Sequence, residues 1–321
     1  MKTRKLGDWD VSPLGMGCWA IGGPLWDGKV PLGWGEVDDK TSIKAIHAGI
    51  EAGINLMDTA DLYGAGHSEL VIGQALKGKR DDVILASKFG NTFNEASKQL
   101  TGQDTSPAYI QQAIEDSLKR LNTDHIDVLW FHLNNFAVDK ASAVADVLEA
   151  QVASGKIRKF GWSTDFPDRA AVFAKYKNCL GFQFNFNVFD NSPMLKFCED
   201  NALSAVNRGP LAMGLLSGKY DRAEQLSESD IRRISPEWLS YFKNGVPPQD
   251  LLEKFASIKS ILTSEGRSPV QGALAWIWGK SERTIPIPGF RSPEQVRELA
   301  DAMSIGALTA QQVLEIDELL R

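Results

Sequence analysis

The sequence predicts a closed (β/α)8 barrel, a TIM barrel, and three observations support that prediction. Short apolar segments typical of strands alternate along the chain with amphipathic segments typical of helices. This alternation predicts parallel strands that are joined by right-handed helical crossovers. Eight such units follow one another, and no linker rich in Pro, Gly or Ser separates them. We therefore expect residues 1–321 to form a single α/β barrel domain rather than an open sheet.

Each predicted strand is a short apolar run between polar or turn-forming residues. Because all eight strands run parallel, their carboxyl ends meet at one mouth of the barrel, where barrel enzymes carry their chemistry. The predicted strands cover residues 14–18, 54–58, 83–88, 126–132, 157–163, 181–187, 203–207 and 284–287.

The predicted helices show apolar residues at helical spacing and, in places, clear end signals. The segment 39–52 is amphipathic, and Gly53 closes it. Ser106 precedes Pro107, which is the pattern of an N-cap followed by proline at the first helical position. The predicted helices cover residues 39–52, 67–77, 107–121, 141–153, 193–201, 248–263 and 268–279, with a further helix that begins near residue 167.

The composition excludes several classes of protein. The net charge of −6 offers no broad basic surface, so we expect no nucleic-acid partner. No apolar run is long enough for a membrane helix, and the basic residues 2–5 precede polar residues rather than a signal core. Cys18, Cys179 and Cys198 lie too far apart for a metal motif or a disulfide framework. We expect a cytoplasmic protein without a metal site or a membrane partner, and the oligomeric state stays open.

Three chemically active side chains end successive predicted strands. Asp58, Lys88 and His132 stand at the ends of the second, third and fourth runs. Since neighbouring strands lie about 4.8 Å apart, three consecutive strand ends fall within roughly 10 Å of one another. Alternation along each strand also places them on shared faces. The residues that share these faces are Ile54, Leu56, Ile84, Ala86, Ile126, Val128 and Trp130.

Tyr63 follows Asp58 in a glycine-rich turn and can lean over these three side chains. A free tyrosine titrates at about pH 10, and a nearby ammonium such as Lys88 lowers that pKa by favouring the phenolate. We expect Asp58 to keep Lys88 charged, and His132 to donate to a substrate oxygen or to share its proton with Tyr63. This set suits general acid catalysis on a carbonyl, and because it contains no covalent nucleophile, a cofactor must supply the reducing equivalent.

Each of these residues also has a purely structural interpretation. A buried Asp–Lys pair often serves only stability, and a histidine that ends an apolar strand is often a core residue. Catalysis is favoured because all four residue types arrive in register on consecutive units.

A competing motif lies near the amino terminus. Residues 15–20 fit the dinucleotide fingerprint G-x-G-x-x-A, which requires a helix directly after it. Glycine-rich sequence follows instead, so a Rossmann site is disfavoured. The loop 21–36, with Trp26 and Trp34, is a better candidate for a substrate wall above the first strand, and a free surface loop is the alternative.

The chain resembles the aldo-keto reductases over almost its whole length. Beside His132, the matching segments are GINLMDTA (53–60), YGAGHSE (63–69), ASKFG (86–90), FGWS (160–163), GPLAMGLLSGKY (209–220) and IPIPG (285–289). The resemblance implies a (β/α)8 barrel that uses a nicotinamide cofactor without metal. It also implies that Asp58, Tyr63, Lys88 and His132 are the catalytic residues.

The resemblance further implies a site for NADP(H). Ser163 and Gln183 match the Ser and Gln that hold the carboxamide, and Thr164, with its shorter reach, stands where Asn is usual. The residue that stacks on the nicotinamide is often Tyr, and here it is Arg208, whose planar guanidinium can stack. The implied cofactor-binding residues are Ser163, Thr164, Gln183, Arg208, Pro210, Leu211, Ala212, Gly214, Ser217, Lys219, Gly289, Arg291, Gln295 and Glu298.

Two of these regions would hold phosphate. The stretch 211–219 resembles the pyrophosphate loop, with backbone N–H groups open to the anion. Arg291 matches the cation that meets the adenosine 2′-phosphate, and it favours NADP(H). Gln295 and Glu298 fall at adenosine contacts, whereas Leu299 replaces the usual Asn and weakens one adenine contact.

We therefore expect an NADP(H)-dependent enzyme that reduces an aldehyde or ketone to an alcohol, or runs in reverse. The alternative is a cofactor-sensing regulatory or accessory subunit on the same fold. Decay of NADPH absorbance with a reactive aromatic aldehyde distinguishes the two, and the sequence does not identify the physiological substrate.

The insertion 217–249 is predicted to be a mobile lid over the cofactor, because it is long for a connection and mixes charged with aromatic residues. A static Ω-loop or an extra helix is the alternative. The residues that suggest the lid are Asp221, Arg222, Glu224, Arg232, Arg233, Trp238, Tyr241 and Phe242.

Overall fold

Strands and helices alternate along the chain in the computed structural model, which describes residues 2–220, 226–234, 236 and 238–321. The strands are β1 Arg4–Leu6, β2 Trp9–Val11, β3 Met16–Gly17, β4 Trp26–Asp27, β5 Val30–Pro31, β6 Leu56–Asp58, β7 Ile84–Phe89, β8 Asn91–Asn94, β9 Gln99–Gln103, β10 Ile126–Phe131, β11 Ile157–Ser163, β12 Cys179–Asn185, β13 Ser204–Arg208 and β14 Thr284–Pro286.

The helices lie between the strands and after the last one. Ser106 caps the third helix, as predicted, because its hydroxyl accepts a hydrogen bond from the backbone N–H of Tyr109. The helices are α1 Asp39–Glu51, α2 His67–Ala75, α3 Pro107–Leu121, α4 Val138–Ala153, α5 Pro167–Phe173, α6 Met194–Asp200, α7 Ile231–Ile234, α8 Gln249–Leu262, α9 Pro269–Lys280, α10 Pro293–Ile305 and α11 Ala310–Leu319.

Eight of the described strands form one parallel sheet in the order β3, β6, β7, β10, β11, β12, β13, β14. The two edges meet because the backbone N–H of Gly15 donates to Pro286 O and that of Gly17 to Pro288 O, each at 2.9 Å. Gly17 and Gly289 form a parallel bridge at the same seam. The sheet is therefore a closed ring, and the predicted (β/α)8 barrel is confirmed.

Apolar side chains fill two separate layers. The cluster inside the ring includes Leu56, Ala86, Val128 and Trp130, which is the face that strand alternation predicts. A larger cluster lies between the ring and the helices. Ile54 and Ile126 belong to that outer cluster rather than to the inner one, which corrects the prediction for them. Ile54 precedes β6, and Ile126 is the first residue of β10, so neither lies in the interior of its strand.

Several strand boundaries differ from the prediction. The first strand is reduced to Met16–Gly17, the second begins at Leu56, and the sixth is Cys179–Asn185 rather than 181–187. His132 lies just beyond β10. Differences of one or two residues at strand ends are expected, because element boundaries are the part of a structure that sequence patterns define least well.

Two sheets outside the ring were not predicted. Strands β1 and β2 form an antiparallel hairpin, and its Leu6 and Val11 pack in the inner cluster. Strands β4, β5, β8 and β9 form a four-stranded sheet, so part of the predicted loop 21–36 is a hairpin. These strands are short and largely polar, and they therefore lack the alternation that predicts a strand.

The described residues lack the patterns of a membrane helix and of a metal site. Among the described helices, none is long and apolar enough to cross a membrane. Within the same described residues, no group of three or more His, Cys, Asp or Glu side chains is arranged to hold a metal ion.

Candidate active site

The structure brings Asp58, Tyr63, Lys88 and His132 together at the mouth of the barrel. Asp58 ends β6, Lys88 is the next-to-last residue of β7, and His132 follows β10 directly. The backbone N–H of His132 donates to Phe89 O at 2.8 Å, and this hydrogen bond fixes the position of His132 relative to the end of β7. Three neighbouring strands thus deliver three side chains to one place, and the turn after β6 adds Tyr63.

Lys88 and Asp58 form a buried ion pair in which each polar atom has a partner. The Lys88 ammonium donates to Asp58 Oδ1 and, at 2.7 Å, to Thr59 O. The Gln183 amide donates to Asp58 Oδ2, also at 2.7 Å. Burial lowers the pKa of Lys88, but the Asp58 carboxylate and Tyr63 outweigh it, so this pKa lies above its usual value. Lys88 is therefore a cation near neutral pH.

Tyr63 lies beside this cation. The Lys88 Nζ atom is 4.7 Å from the centroid of the Tyr63 ring. Burial nevertheless raises the pKa of Tyr63 above its usual value, and the opposing effect of Lys88 is smaller. Lys88 does lower this pKa, as predicted, but the net shift is upward because desolvation of the phenolate outweighs the effect of the ammonium. A raised pKa keeps the Tyr63 hydroxyl protonated at neutral pH.

His132 meets Tyr63 edge-on. Their ring centroids are 6.1 Å apart, and the ring planes are inclined at 83°. Burial, together with the positive charges of Lys88 and Arg208, holds the pKa of His132 well below its usual value. His132 is therefore neutral near pH 7. Its Nδ1 atom is buried and has no protein hydrogen-bond partner among the described residues.

Arg208 is a second cation at the mouth, and the structure shows what holds it. Its Nη2 atom donates to Asp165 Oδ2. The other carboxylate oxygen of Asp165 accepts from the backbone N–H of Asn185 at 2.8 Å. Asp165 thereby links the ends of β11, β12 and β13. Sequence reasoning missed Asp165, although its place two residues after Ser163, at the end of a barrel strand, was an available signal.

Aromatic rings surround Tyr63 on the solvent side. Trp19 stacks on Tyr63 with centroids 5.9 Å apart, and Trp34 meets Trp19 edge-on at 5.4 Å. Trp238 stacks on the outer side of Trp19 at 6.5 Å and is 61% exposed. Trp34 thus lies in the aromatic group next to Tyr63, and its contact with a substrate stays a prediction. Trp26 instead lies in β4, paired with β5 and β9, and the structure does not bring it into this cluster.

The residues expected to hold a carboxamide lie at the ends of β11 and β12. Ser163 and Gln183 are paired across these strands and are almost fully buried. One N–H of the Gln183 amide is donated to Asp58, so its Oε1 atom can accept from a ligand and its second N–H can donate to one. Thr164 is fully buried, and its hydroxyl donates to Asn134 O at 2.9 Å, so it retains only acceptor capacity.

The proposed pyrophosphate loop is a tight turn after β13. Ala212, Met213 and Gly214 have positive φ angles of 47°, 56° and 92°. Such successive left-handed residues aim backbone N–H groups into a concave surface. The N–H groups of Ala212 and Gly214 are used within the turn, by Gly209 O and Leu211 O, so the loop is less open than the sequence suggests. Three other expected residues lie near this turn in the sequence. Pro210 is buried, Ser217 is partly buried and Lys219 is exposed.

The expected adenosine end lies after β14. Arg291 is exposed, and its guanidinium donates to Trp34 O and Glu36 O. The Gln295 side chain accepts from the backbone N–H of Arg291 at 2.7 Å. Leu299 is buried in the outer core. Gly289 is exposed and Glu298 partly buried.

A buried charged cluster lies behind the mouth and was not predicted. Glu69 is fully buried, and it accepts from the Ser87 hydroxyl at 2.5 Å and from Arg120 Nε at 2.7 Å. Asp61 is also buried, and its Oδ1 atom has no partner among the described residues. Burial, and then the charge of Glu69, raises the pKa of Asp61 well above its usual value. Asp61 and Glu69 flank the turn that carries Tyr63, so this cluster supports that turn.

The described part of the insertion 217–249 packs against the mouth. Arg232 lies over the rings of Trp34 and Tyr220, at 4.7 and 4.4 Å, and donates to Met213 O at 3.1 Å. The Tyr241 hydroxyl accepts from the Asn187 amide at 2.7 Å. Asp221, Arg222 and Glu224, which contributed to the lid prediction, lie outside the described residues.

Known proteins share this fold and sequence over nearly the full length. The aldo/keto reductase family model matches residues 13–321. Aldo-keto reductase YhdN of Bacillus subtilis is 33% identical over 298 residues, 91% of this chain and 85% of YhdN. The NADH-specific methylglyoxal reductase of Escherichia coli is 30% identical, covering 98% of this chain and 97% of that protein. The glycerol dehydrogenase AKR11B4 of Gluconobacter oxydans superposes with a TM-score of 0.82 at 29% identity, over 99% of this chain and 95% of its own.

The match of the family model to almost the whole chain agrees with the closed barrel and with the motif residues gathered at its mouth. The chain belongs to the aldo-keto reductase family.

Proposed function

We propose that this protein is an NADP(H)-dependent oxidoreductase that reduces an aldehyde or ketone to an alcohol, or catalyses the reverse reaction, with Tyr63 as the general acid. The observation that carries this proposal is the fully buried Lys88 ammonium between the Asp58 carboxylate and the Tyr63 ring. A buried cation beside a phenol is the arrangement that stabilises the phenolate left after proton transfer.

The bound nicotinamide would supply the hydride, and the side chains at the mouth manage the proton. Tyr63 donates its hydroxyl proton to the carbonyl oxygen, and Lys88 compensates the negative charge that develops on Tyr63. Asp58 keeps Lys88 charged and fixed in place. His132, which is neutral, contributes one N–H toward the same oxygen and does not compete as a strong acid. A positioned acid of this kind accelerates a reaction by about a hundredfold to ten-thousandfold.

The residues present fit a nicotinamide dinucleotide. Gln183 has an amide oxygen that can accept a hydrogen bond, and the turn 212–214 has successive residues with left-handed backbone. Ser163 and Gln183 would hold the carboxamide, and the planar guanidinium of Arg208 would face the ring. Arg291 lies at the far end, where a 2′-phosphate would distinguish NADP(H) from NAD(H). The similar E. coli enzyme is NADH-specific by name, so the choice of cofactor depends on Arg291 and not on the family alone.

The test is consumption of NADPH by the purified full chain in the presence of a panel of aromatic and aliphatic aldehydes and ketones. We expect absorbance to decay only when a carbonyl compound is present, with one alcohol formed for each NADPH consumed. NADPH binding in a fluorescence titration without turnover of any carbonyl would contradict the proposal and favour a cofactor-sensing subunit.

A further inference from the structure

Arg291 connects two distant parts of the chain. Its Nη1 atom donates to Trp34 O at 3.0 Å, and its Nη2 atom donates to Glu36 O. Both terminal nitrogens of the guanidinium therefore bind the carbonyl oxygens of one short segment, residues 33–36, which we call the wall segment. The backbone N–H of Arg291 donates separately to the side-chain oxygen of Gln295.

The wall segment belongs to the surroundings of the general acid. Trp34 contacts Trp19 edge-on, and Trp19 stacks on Tyr63. The position of the wall segment therefore affects the space above Tyr63, where a carbonyl substrate would lie.

The wall segment is also tied to the insertion after β13. Trp34 pairs with Asp230, and the backbone N–H of Ile231 donates to Gly33 O at 2.9 Å. The Arg232 guanidinium lies 4.7 Å from the Trp34 ring. These contacts hold one side of the segment, and Arg291 holds the other.

A phosphate would be a stronger partner for Arg291 than these carbonyl groups. A phosphate carries negative charge, so its attraction to the guanidinium adds to the hydrogen bonds in a way that a neutral carbonyl cannot match, and the fork of two nitrogens matches phosphate geometry. Glu36 is exposed, so water can satisfy its carbonyl oxygen after the exchange. The N–H groups that Arg291 donates to Trp34 O and Glu36 O are not available to a phosphate at the same time.

We propose that the 2′-phosphate of the cofactor and the wall segment compete for Arg291, so that NADP(H) releases the wall segment whereas NAD(H) leaves it bound. The carbonyl oxygens of Trp34 and Glu36 are then specificity-determining groups, since they reduce the advantage of a 2′-phosphate and couple cofactor choice to the substrate wall. This inference rests on the proposed function, in which Arg291 meets the 2′-phosphate.

The experiment uses hydrogen exchange of the full chain with two nucleotide probes. Adenosine 2′,5′-bisphosphate carries the 2′-phosphate without a nicotinamide, and adenosine 5′-monophosphate lacks it. We expect the bisphosphate to make amides in residues 33–37 exchange about tenfold faster or more, because the wall segment loses two hydrogen bonds from a charged donor. The monophosphate should leave that exchange unchanged.

Two variants make the result specific. In Arg291→Ala, exchange in residues 33–37 should already be fast without a probe, and the bisphosphate should add nothing. Arg297→Ala removes a neighbouring exposed arginine of α10 whose ion pair with Glu294 spans 3.7 Å, and it should behave as the unaltered protein does.

The possible failures are separable. Binding of the bisphosphate, measured by calorimetry, without faster exchange in residues 33–37 would overturn the competition alone. Equal effects of the two probes would overturn it as well, because the adenosine and not the 2′-phosphate would then act on the wall segment. Absence of bisphosphate binding would overturn both the competition and the 2′-phosphate contact, but carbonyl reduction with NADH would still uphold the proposed chemistry.

Discussion

Lys88 organises the chemistry of the mouth. It has no exposure to solvent, yet it stays charged because the Asp58 carboxylate and the Thr59 carbonyl replace the water that it has lost. Lys88 therefore acts as a fixed positive charge beside Tyr63, and the burial that raises the pKa of Tyr63 also keeps its proton available. For Tyr63 to act as a base, the effect of Lys88 on its pKa would have to outweigh the effect of burial.

The first prediction concerns the proton of Tyr63. In Tyr63→Phe the aromatic ring and its packing on Trp19 remain, but the transferable proton is lost. We expect turnover with an aromatic aldehyde to fall about a hundredfold or more, with the dissociation constant of NADPH nearly unchanged. Tyr176→Phe, which removes a hydroxyl that bonds to Ser142 O far from the mouth, is the matched control. Near-normal aldehyde reduction by Tyr63→Phe would show that another group is the acid.

The second prediction concerns the pKa of His132. Burial, Lys88 and Arg208 all disfavour the imidazolium, so removing one of the two cations should raise this pKa, although burial keeps it below its ordinary value. We expect Arg208→Gln to move the protonation of His132 to higher pH, as observed by NMR titration of the imidazole nitrogens. Its neutral form would then disappear earlier as the pH falls.

Arg169→Gln supplies the control for that titration. Arg169 also lies near the end of β11 and forms an ion pair with Asp168, but its charge does not contribute to the pKa shift of His132. An identical His132 titration in Arg208→Gln and in the unaltered protein would mean that Arg208 does not act on the histidine.

At the scale of elements, the described part of the insertion 217–249 is partly packed and partly exposed. Phe242 and Ile231 are fully buried, whereas Trp238 is one of the most exposed large apolar side chains of the described residues. Arg232 joins this element to the proposed pyrophosphate turn through Met213 O, and to the wall segment through the Trp34 ring. The insertion is therefore placed to respond to a cofactor.

The third prediction is that this insertion becomes ordered when the cofactor binds. Hydrogen exchange with and without NADP+ should show added protection within residues 217–249, because a lid gains contacts that the free protein lacks. Helix α11, the last helix of the chain, serves as the internal reference, and its exchange should not change. If the insertion exchanges equally in both states, it is a static loop and opening of a lid does not limit product release.

At the scale of the whole molecule, the barrel depends on how closely its first and last strands approach. A Cβ atom on Gly17 would lie 2.5 Å from Ile287 O, which is closer than atoms can approach. A Cβ atom on Gly289, on the other side of the same seam, would meet Gly17 O at 3.9 Å, an ordinary contact. At this seam, therefore, glycine is required at position 17 in β3 but not at position 289.

The fourth prediction follows from that difference. Gly17→Ala should lower the free energy of unfolding by about 1–3 kcal/mol or more, because the backbone at the seam must move apart to admit a methyl group. Gly289→Ala should change it much less. Urea denaturation with a common slope measures both, and comparable losses in the two variants would show that strand closure is not the cause.

Sequence alone determined the barrel, the helices α1–α6, α8 and α9, and the gathering of Asp58, Lys88 and His132, whereas α7, α10 and α11 were not predicted. Apolar alternation and end signals are local properties, and parallel strands bring their carboxyl ends together whatever the details of the loops. The bounds of α3 and β11 match the prediction for the same reason. The motif residues of the family lie on these elements, so their placement needed no knowledge of loop paths.

Only the tertiary structure decided the net pKa of Tyr63, the position of Trp26 and the partners of Arg208 and Arg291. Desolvation depends on every atom around a group, so the sequence shows the nearby ammonium but not the burial that outweighs it. Trp26 and Trp34 both belong to the segment 21–36, which was predicted to be one loop. The pairing of β4 with β9 places Trp26 in a sheet, away from the aromatic group that contains Trp34. The contact between Arg291 and the wall segment joins residues 255 or more positions apart, a separation at which no local pattern carries information.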